Sequence, residues 1–316
     1  MSGFLGGLIW GLGGGLLIAL AALFGVWWER RVAGRIQMRI GPNTTGPAGL
    51  LQTLADTLKL VLKEDITPEQ ADVRVFRMAP FVVFVPIAMS LAVIPFAAGW
   101  APLDASAGML FFLAVPSVSV IGVLLAGWSS RNTYATLGGL RGAAQMISYE
   151  LPRTLSVLGV VVLAGSLRPL AVMDAWHPSW LVLNFVGFIV YYIASIAEVN
   201  RGPFDIPEAE SELVAGYFAD YSGIRWAIFM MSEYGGVVAA SLFGAAVFLG
   251  GWSWIPGPAG VVLFVILTLV LVTGMIWAKW TFPRMRSDQL MSLAWKVLTP
   301  MALAQIAVIG LVVAWQ

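Results

Sequence analysis

Residues 259–279 read AGVVLFVILTLVLVTGMIWAK, an apolar run whose first charged residue is Lys279. About 20 residues of this kind form a helix long enough to cross the ~30 Å hydrocarbon layer of a membrane. The chain holds seven further runs of similar character. The sequence therefore predicts an all-α integral membrane protein with about eight transmembrane helices, at residues 3–28, 76–98, 108–128, 143–166, 179–198, 225–250, 259–279 and 296–315.

The composition excludes several classes of protein. Of the 316 residues, 59% are hydrophobic and 11% are charged, whereas a soluble domain carries about 25% charged residues. The chain has no cysteine and one histidine, His177, so we expect no metal site and no redox centre on it. The net charge of +1 is too balanced for a nucleic-acid-binding protein.

The basic residues fall almost entirely on one side of the predicted membrane. Every Lys and Arg except Arg168 lies in, or at a span end next to, the loops 29–75, 129–142, 199–224 and 280–295. Because positively charged loops stay cytoplasmic, these loops are predicted to face the cytoplasm of a bacterial cell. An even number of spans then puts both termini in the periplasm. Since no repeat or linker divides residues 1–316, we expect a single membrane domain.

Two segments of the cytoplasmic loops have the pattern of amphipathic helices. In the first, the apolar positions are Leu50, Leu54, Leu58, Val61 and Leu62, and the polar stripe opposite them is Gln52, Asp56, Lys59 and Lys63. This pattern predicts a helix at the membrane interface. In the second, Asp205 is a candidate cap for a helix with Pro207 in its first turn and Glu208 three residues after the cap. Glu208 and Glu212 would then share a face.

Three glutamates lie within or at the end of predicted spans, where an ionisable side chain costs about 2.5–3.5 kcal/mol or more. Glu150 could form an ion pair with Arg153 on the same face, and Glu198 could extend toward water at its span end. Glu233 has no basic residue at helical spacing and therefore requires a partner from elsewhere. Each of the three is a candidate protonatable site. The structural alternative is the ion pair for Glu150 and the extended side chain for Glu198.

The acids of residues 205–212 have a structural alternative as well, because carboxylates in a first helical turn complement the helix dipole. Four acids in eight residues exceed what capping requires. We expect an acidic patch in which neighbouring carboxylates raise each other's pKa values.

Four stretches of the sequence resemble one family. Residues 29–65 read ERRVAGRIQMRIGPNTTGPAGLLQTLADTLKLVLKED, and residues 197–223 read AEVNRGPFDIPEAESELVAGYFADYSG. Two shorter stretches are AAQMISYELP at 143–152 and PRMRSDQLMSLAWK at 283–296. In this order they are similar to the signatures of one membrane-subunit family, the quinone-site (H or chain 1) subunit of proton-pumping NADH:quinone oxidoreductase, respiratory complex I.

This resemblance implies a role in a larger complex. In the family, the subunit forms a quinone chamber with two peripheral-arm subunits on the cytoplasmic side, and small membrane subunits lie beside it in the bilayer. Quinone is the substrate, while NAD, FMN and the iron–sulfur clusters are held by partner subunits. The chain itself would bind no cofactor and carry no catalytic redox residue.

The resemblance also assigns roles to particular positions. The chamber entrance and wall are Trp28, Glu29, Arg30, Arg39, Lys279 and Arg284. The acids that would transmit the effect of quinone reduction to proton translocation are Asp56, Glu150, Glu198, Asp205, Glu208, Glu210, Glu212 and Glu233. Trp28 and the basic residues after it also suit an ordinary aromatic belt and basic stop at the membrane surface.

Other functions remain open from the sequence. A related membrane subunit of an energy-converting hydrogenase shares the ER and GP elements of the first loop. An independent transporter would also use buried carboxylates, although repeated halves with matching broken helices would then be expected. A purely structural anchor leaves the buried glutamates without a role.

Overall fold

The computed structural model describes the backbone of residues 2–208 and 210–315 and the side chains of 13–208 and 212–315. Within the described residues the chain is helical, and pairing of extended backbone is limited to an isolated bridge between Ala97 and Trp100. The predicted all-α membrane fold is confirmed.

Fourteen α-helices are numbered here in chain order within the described residues. The first seven are α1 (Ser2–Ile36), α2 (Leu51–Leu62), α3 (Val73–Ser90), α4 (Gly108–Ser117), α5 (Ser119–Ser129), α6 (Thr133–Ala164) and α7 (Pro169–Asp174). The others are α8 (Trp180–Leu183), α9 (Phe185–Glu198), α10 (Glu210–Leu213), α11 (Gly223–Val247), α12 (Pro258–Thr281), α13 (Ser287–Leu293) and α14 (Thr299–Ala314).

In the described part of the chain, six helical segments are long and apolar enough to cross a membrane, and α9 is a shorter apolar helix. The six are Val73–Val93, Gly108–Ser129, Thr133–Ala164, Gly223–Trp254, Pro258–Thr281 and Ser287–Ala314. The prediction of about eight spans exceeds this count of six to seven. The predicted span at residues 3–28 lies in α1, where the described side chains before the charged residues that begin at Glu29 are those of residues 13–28.

Two predicted cytoplasmic loops are partly helical. The loop 129–142 mostly belongs to α6, which begins at Thr133 because the side chain of Asn132 accepts a hydrogen bond from the Tyr134 amide. This cap precedes a stretch too rich in glycine to be recognised as an apolar run. The loop 280–295 likewise contains α13, and a π-helical turn at Ala294–Leu298 connects α13 to α14.

The prediction of a helix beginning at Asp205 is wrong. Residues 205 and 206 have no regular secondary structure and residues 207 and 208 form a turn, and the nearest helical turn among the described residues, α10, begins only at Glu210. The carboxylate of Asp205 binds Arg284, with 2.9 Å between Oδ2 and Nη2, so it does not cap a helix. Glu208 and Glu212 therefore do not share a helical face.

The predicted interfacial helix of the first cytoplasmic loop is present as α2. Its apolar stripe points outward, since Leu54, Leu58 and Leu62 are 47%, 56% and 85% exposed. Thr53 and Asp56 face the protein instead. This orientation suits a helix whose apolar face lies in a membrane surface.

Packing around α6 and α11 forms the centre of the protein. α6 contacts α5, α9 and α14, while α11 contacts α1, α3 and α12. The outer face of α12 exposes Val262, Ile266 and Val270, as expected where lipid surrounds the protein. Because α1, α9, α11 and α12 meet at the end of the bundle that bears the loop 199–222, charged residues from distant parts of the sequence come together there.

Candidate functional site

A buried cluster of charges forms where α1, α11 and α12 approach the loop after α9. Arg201 Nη1 lies 2.6 Å from Glu29 Oε2, and Arg201 Nε lies 2.5 Å from Glu233 Oε1. Lys279 Nζ binds the other oxygen of Glu29 at 2.8 Å, and the Tyr234 hydroxyl donates to Glu29 Oε2 at 2.7 Å. Arg201 is thus the basic partner, from another segment of the chain, that Glu233 requires.

The backbone around Arg201 is held by one side chain of α6. Gln145 Nε2 donates to the carbonyl oxygens of Ala197 and Phe204, each at 2.7 Å. Gln145 is buried, and Asn200 adopts a positive φ of 56° between the two carbonyls. The chain therefore turns sharply after α9 and directs Arg201 between α1 and α11.

Two cavities lie on either side of this cluster. The first, called the α1–α2 cavity, has a volume of about 410 Å³ and is lined by α1, α2 and α11, with Glu29 and Asp56 among its walls. The second, called the central cavity, has a volume of about 60 Å³, and Glu198 and Glu233 are among the residues that line it. A smaller space of about 10 Å³ adjoins Glu29 and Arg201.

The walls of the α1–α2 cavity differ in polarity along α1. Ala19, Ala22 and Leu23 make one part of the lining apolar. Two turns later along the helix, Glu29 and Arg30 make the lining charged. The cavity can therefore accept a molecule with an apolar tail and a polar head.

Two of the predicted acids have partners that the sequence did not indicate. Arg153 forms a buried ion pair with Glu198, and Glu150 accepts a hydrogen bond from Ser117. The alternatives of a Glu150–Arg153 pair and of a water-exposed Glu198 are therefore wrong. The reason is the packing of α9 against α6, which carries Glu198 to Arg153 while Glu150 faces α4.

The acids of the loop 205–212 divide between the interior and the surface. Glu208 is partly buried, and this burial, together with the charges of Glu233 and Asp205, raises its pKa well above the ordinary value. Burial also raises the pKa of Asp205, although Arg284 opposes the shift. Glu212 is 58% exposed and pairs with Arg141 at 2.6 Å, so the structure does not bring it to Glu208. The side chain of Glu210 lies outside the described residues.

Of the remaining predicted positions, Arg30, Arg39 and Asp56 line the α1–α2 cavity, whereas Trp28 does not. Arg30 Nη1 is 2.6 Å from Asp56 Oδ2. Partial burial acts to raise the pKa of Asp56, but the hydrogen bonds from Arg30 and Gln52 and the nearby positive charges together lower it. Arg39 lines the same cavity and donates to Gln37. Trp28 donates through Nε1 to Thr273 Oγ1 at 2.9 Å, which joins α1 to α12.

Sequence reasoning did not assign four residues that organise this site: Arg153, Arg201, Tyr234 and Gln145. Arg201 and Gln145 lie within the stretches that resemble the family. A signal for Arg201 existed, because a buried Glu233 without a local partner requires a cation from another segment. Which cation it would be depends on the fold.

Comparison with known proteins identifies the family. A family model described as NADH dehydrogenase matches residues 13–310. The H subunit of NADH-quinone oxidoreductase from Geobacillus kaustophilus (strain HTA426) is 47% identical over 98% of this chain and 95% of that protein. The proteins of the same name from Dehalococcoides mccartyi (strain CBDB1) and Bacillus cereus (strain B4264) are 46% and 48% identical, over 93% and 92% of this chain and 85% and 88% of theirs. The chain therefore belongs to the NADH dehydrogenase family, among the H subunits of NADH-quinone oxidoreductase.

Proposed function

We propose that this chain forms part of a quinone chamber in a proton-translocating NADH:quinone oxidoreductase and links quinone reduction to proton translocation through buried acids. The α1–α2 cavity is the quinone path. Its apolar part suits an isoprenoid tail, and the charged part around Glu29, Arg30 and Asp56 suits the polar headgroup. Peripheral-arm subunits on the cytoplasmic side complete the chamber, and both termini of the chain are periplasmic.

The observation that carries the proposal is the position of Arg201. Its guanidinium binds Glu29, which lines the α1–α2 cavity, and Glu233, which lines the central cavity. A change of charge at the quinone alters the field at Glu29, and Arg201 then redistributes its interaction between the two carboxylates. In a buried site such a redistribution changes which acids hold protons.

From Glu233 the coupling continues to other acids around the central cavity. Glu208 and Asp205 interact electrostatically with Glu233. Glu198 lines the same cavity and pairs with Arg153 of α6. Glu150 lies three residues before Arg153 in the same helix. In this proposal the acids pass the effect of quinone reduction to neighbouring membrane subunits, where protons cross the membrane.

Electron transfer takes place on partner subunits. The chain has no cysteine and a single histidine, His177, whereas iron–sulfur clusters and haem need thiolate or imidazole ligands. NAD, FMN and iron–sulfur clusters are therefore assigned to the peripheral arm, and this chain supplies the membrane part of the quinone site.

The test uses the assembled complex in inverted membrane vesicles. Glu233→Gln and Glu150→Gln each remove one ionisable carboxyl while keeping its shape. We expect NADH oxidation by an artificial acceptor such as ferricyanide to be unchanged and proton uptake per NADH oxidised by quinone to fall. Glu69→Gln, a change at an exposed residue of the first cytoplasmic loop, is the matched control.

Full proton uptake in both the Glu233 and the Glu150 variants would contradict the proposal. A chain that is stable and transports ions when purified alone would favour the independent transporter. The hydrogenase alternative is less well supported, because the bacterial relatives that are nearly half identical to this chain are NADH-quinone oxidoreductase subunits.

A further inference from the structure

The helix α2 is attached to α1 near its N-terminal end. Trp27 donates through Nε1 to the carbonyl oxygen of Ala48 at 3.0 Å, just before α2 begins. Within the helix, Asp56 binds Arg30 at 2.6 Å. This part of α2 therefore follows the position of α1.

The segment that directly follows α2, residues 63–67, is attached to a different helix, α11. Arg225 Nη2 lies 2.8 Å from Asp65 Oδ2, and Arg225 Nη1 donates to Thr67 Oγ1 at 3.1 Å. The Ser222 hydroxyl accepts a hydrogen bond from the Ile66 amide at 3.0 Å. Arg225 is buried, with its guanidinium 5.4 Å from the ring centroid of Phe76, so the arginine side of this partly exposed anchor lies in the protein interior.

Apolar packing contributes little to holding α2 in place. Within Leu51–Leu62, all of which is described, Thr53 is the single buried residue. The leucines of its apolar stripe point away from the protein, as Leu58 at 56% exposure shows. The polar anchors at the two ends must therefore fix where the helix lies.

The position of α2 determines the shape of the α1–α2 cavity. Thr53, Thr57 and Leu60 of α2 form one wall, and Trp226 and Met230 of α11 form the wall next to it. Arg225 immediately precedes Trp226 in the sequence. A change at the Asp65–Arg225 contact therefore changes the separation of these two walls.

We propose that Asp65 and Arg225 are positioning residues that hold α2 against α11 and so set the width of the α1–α2 cavity. Neither side chain lines the cavity, and both act through α2. The functional consequence, control of quinone access, rests on the proposed function of this cavity.

The first measurement is quinone kinetics in the complex with Asp65→Ala. The KM for a soluble quinone should rise about fivefold, the upper range for loss of a partly exposed ion pair, with kcat and ferricyanide reduction unchanged. The KM of the Asp65→Asn variant should lie between those of the unaltered complex and of Asp65→Ala, because the amide oxygen of asparagine still accepts a hydrogen bond from Arg225. Glu69→Ala, in the same loop, is the control.

The second measurement reports the accessibility of the cavity wall directly and does not require quinone. Because the chain has no cysteine, Thr57→Cys introduces a single thiol into it at the cavity wall. Its labelling by a maleimide should be about fivefold faster in the Asp65→Ala background. The Asp65→Asn background should again give an intermediate labelling rate, because the amide oxygen still accepts a hydrogen bond from Arg225.

The outcomes separate the two proposals. Unchanged labelling in Asp65→Ala overturns the positioning role, and so does an equal loss of kcat and ferricyanide reduction, which indicates a general structural defect. Faster labelling with an unchanged KM supports the positioning role and instead contradicts the assignment of the cavity to quinone.

Discussion

Glu29 and Glu233 lie on two different helices and bind the same guanidinium group. Arg201 contacts Glu29 at 2.6 Å through Nη1 and Glu233 at 2.5 Å through Nε. Arg201 supplies one positive charge to two buried carboxylates, so these three residues together carry a net negative charge. Lys279 binds Glu29 at 2.8 Å and so balances the cluster. The arrangement is charge-balanced only as a whole, and a change at one member must be felt by the others.

Replacing Arg201 by Gln should have the largest effect of any single change in this cluster. It leaves two buried carboxylates short of a partner, and breaking a buried ion pair costs about 3–5 kcal/mol. We expect that decrease in the free energy of unfolding of the detergent-purified chain, and loss of quinone-dependent NADH oxidation in the complex. Tyr234→Phe removes one hydrogen bond to Glu29 and should cost about 1 kcal/mol. Equal effects of the two variants would contradict this account.

The buried pair of Arg153 and Glu198 should show strong coupling in a double-mutant cycle. Glu198→Gln alone leaves the Arg153 charge buried without its partner, at a cost of about 3–5 kcal/mol. Combining it with Arg153→Gln should cost at least about 1 kcal/mol less than the sum of the single changes. Thermal or denaturant unfolding of the four proteins measures this, and strict additivity would show that the two charges do not interact.

Glu208→Gln should flatten the pH dependence of stability. Burial and the charges of Glu233 and Asp205 raise the pKa of Glu208, while Arg201 and Lys279 oppose the rise. The folded state therefore favours the neutral carboxyl. The resulting contribution to the free energy of unfolding is present below the ordinary Glu pKa and is lost as pH increases through the raised pKa of Glu208. Glutamine stays neutral throughout. The melting temperature of the variant should fall less than that of the unaltered chain as pH increases, and parallel curves would exclude this role.

Gly138→Ala should displace the loop that carries the acids. A methyl group on Gly138 would lie 2.8 Å from both the Gly216 Cα and the Tyr217 nitrogen, and neither backbone atom can rotate away. We expect destabilisation of about 1–3 kcal/mol, measured by thermal unfolding. Gly310→Ala in α14 meets open space and is the control. A tolerated Gly138→Ala would mean that the loop can shift without cost.

Much of the architecture was predictable from local sequence. The apolar run at 259–279 is α12 within two residues at each end, because a long apolar segment without charge has few alternatives to a membrane helix. The amphipathic stripe around Leu54 and Leu58 likewise predicted α2. The segment beginning at Asp205 was misjudged, because its capping pattern competes with a distant arginine, Arg284, that no local pattern reveals.

The site was only partly predictable for the same reason. Membrane cost alone identified Glu150, Glu198 and Glu233 as exceptional, since a charge in an apolar span needs compensation wherever it occurs. The compensating residues were not predictable by spacing: Glu198 binds Arg153, and Glu233 binds Arg201. Family resemblance grouped Glu29 with Lys279, but the contact between them depends on α1 lying beside α12.

The sequence by itself determined that this chain is a helical membrane protein, because each helix satisfies its own backbone hydrogen bonds and its apolar length decides whether it can lie in lipid. Only the tertiary structure decided which charges meet. A buried carboxylate must find a cation within a few ångströms, and the cation available to Glu29 and Glu233 is set by how α1, α11 and the turn held by Gln145 pack around Arg201.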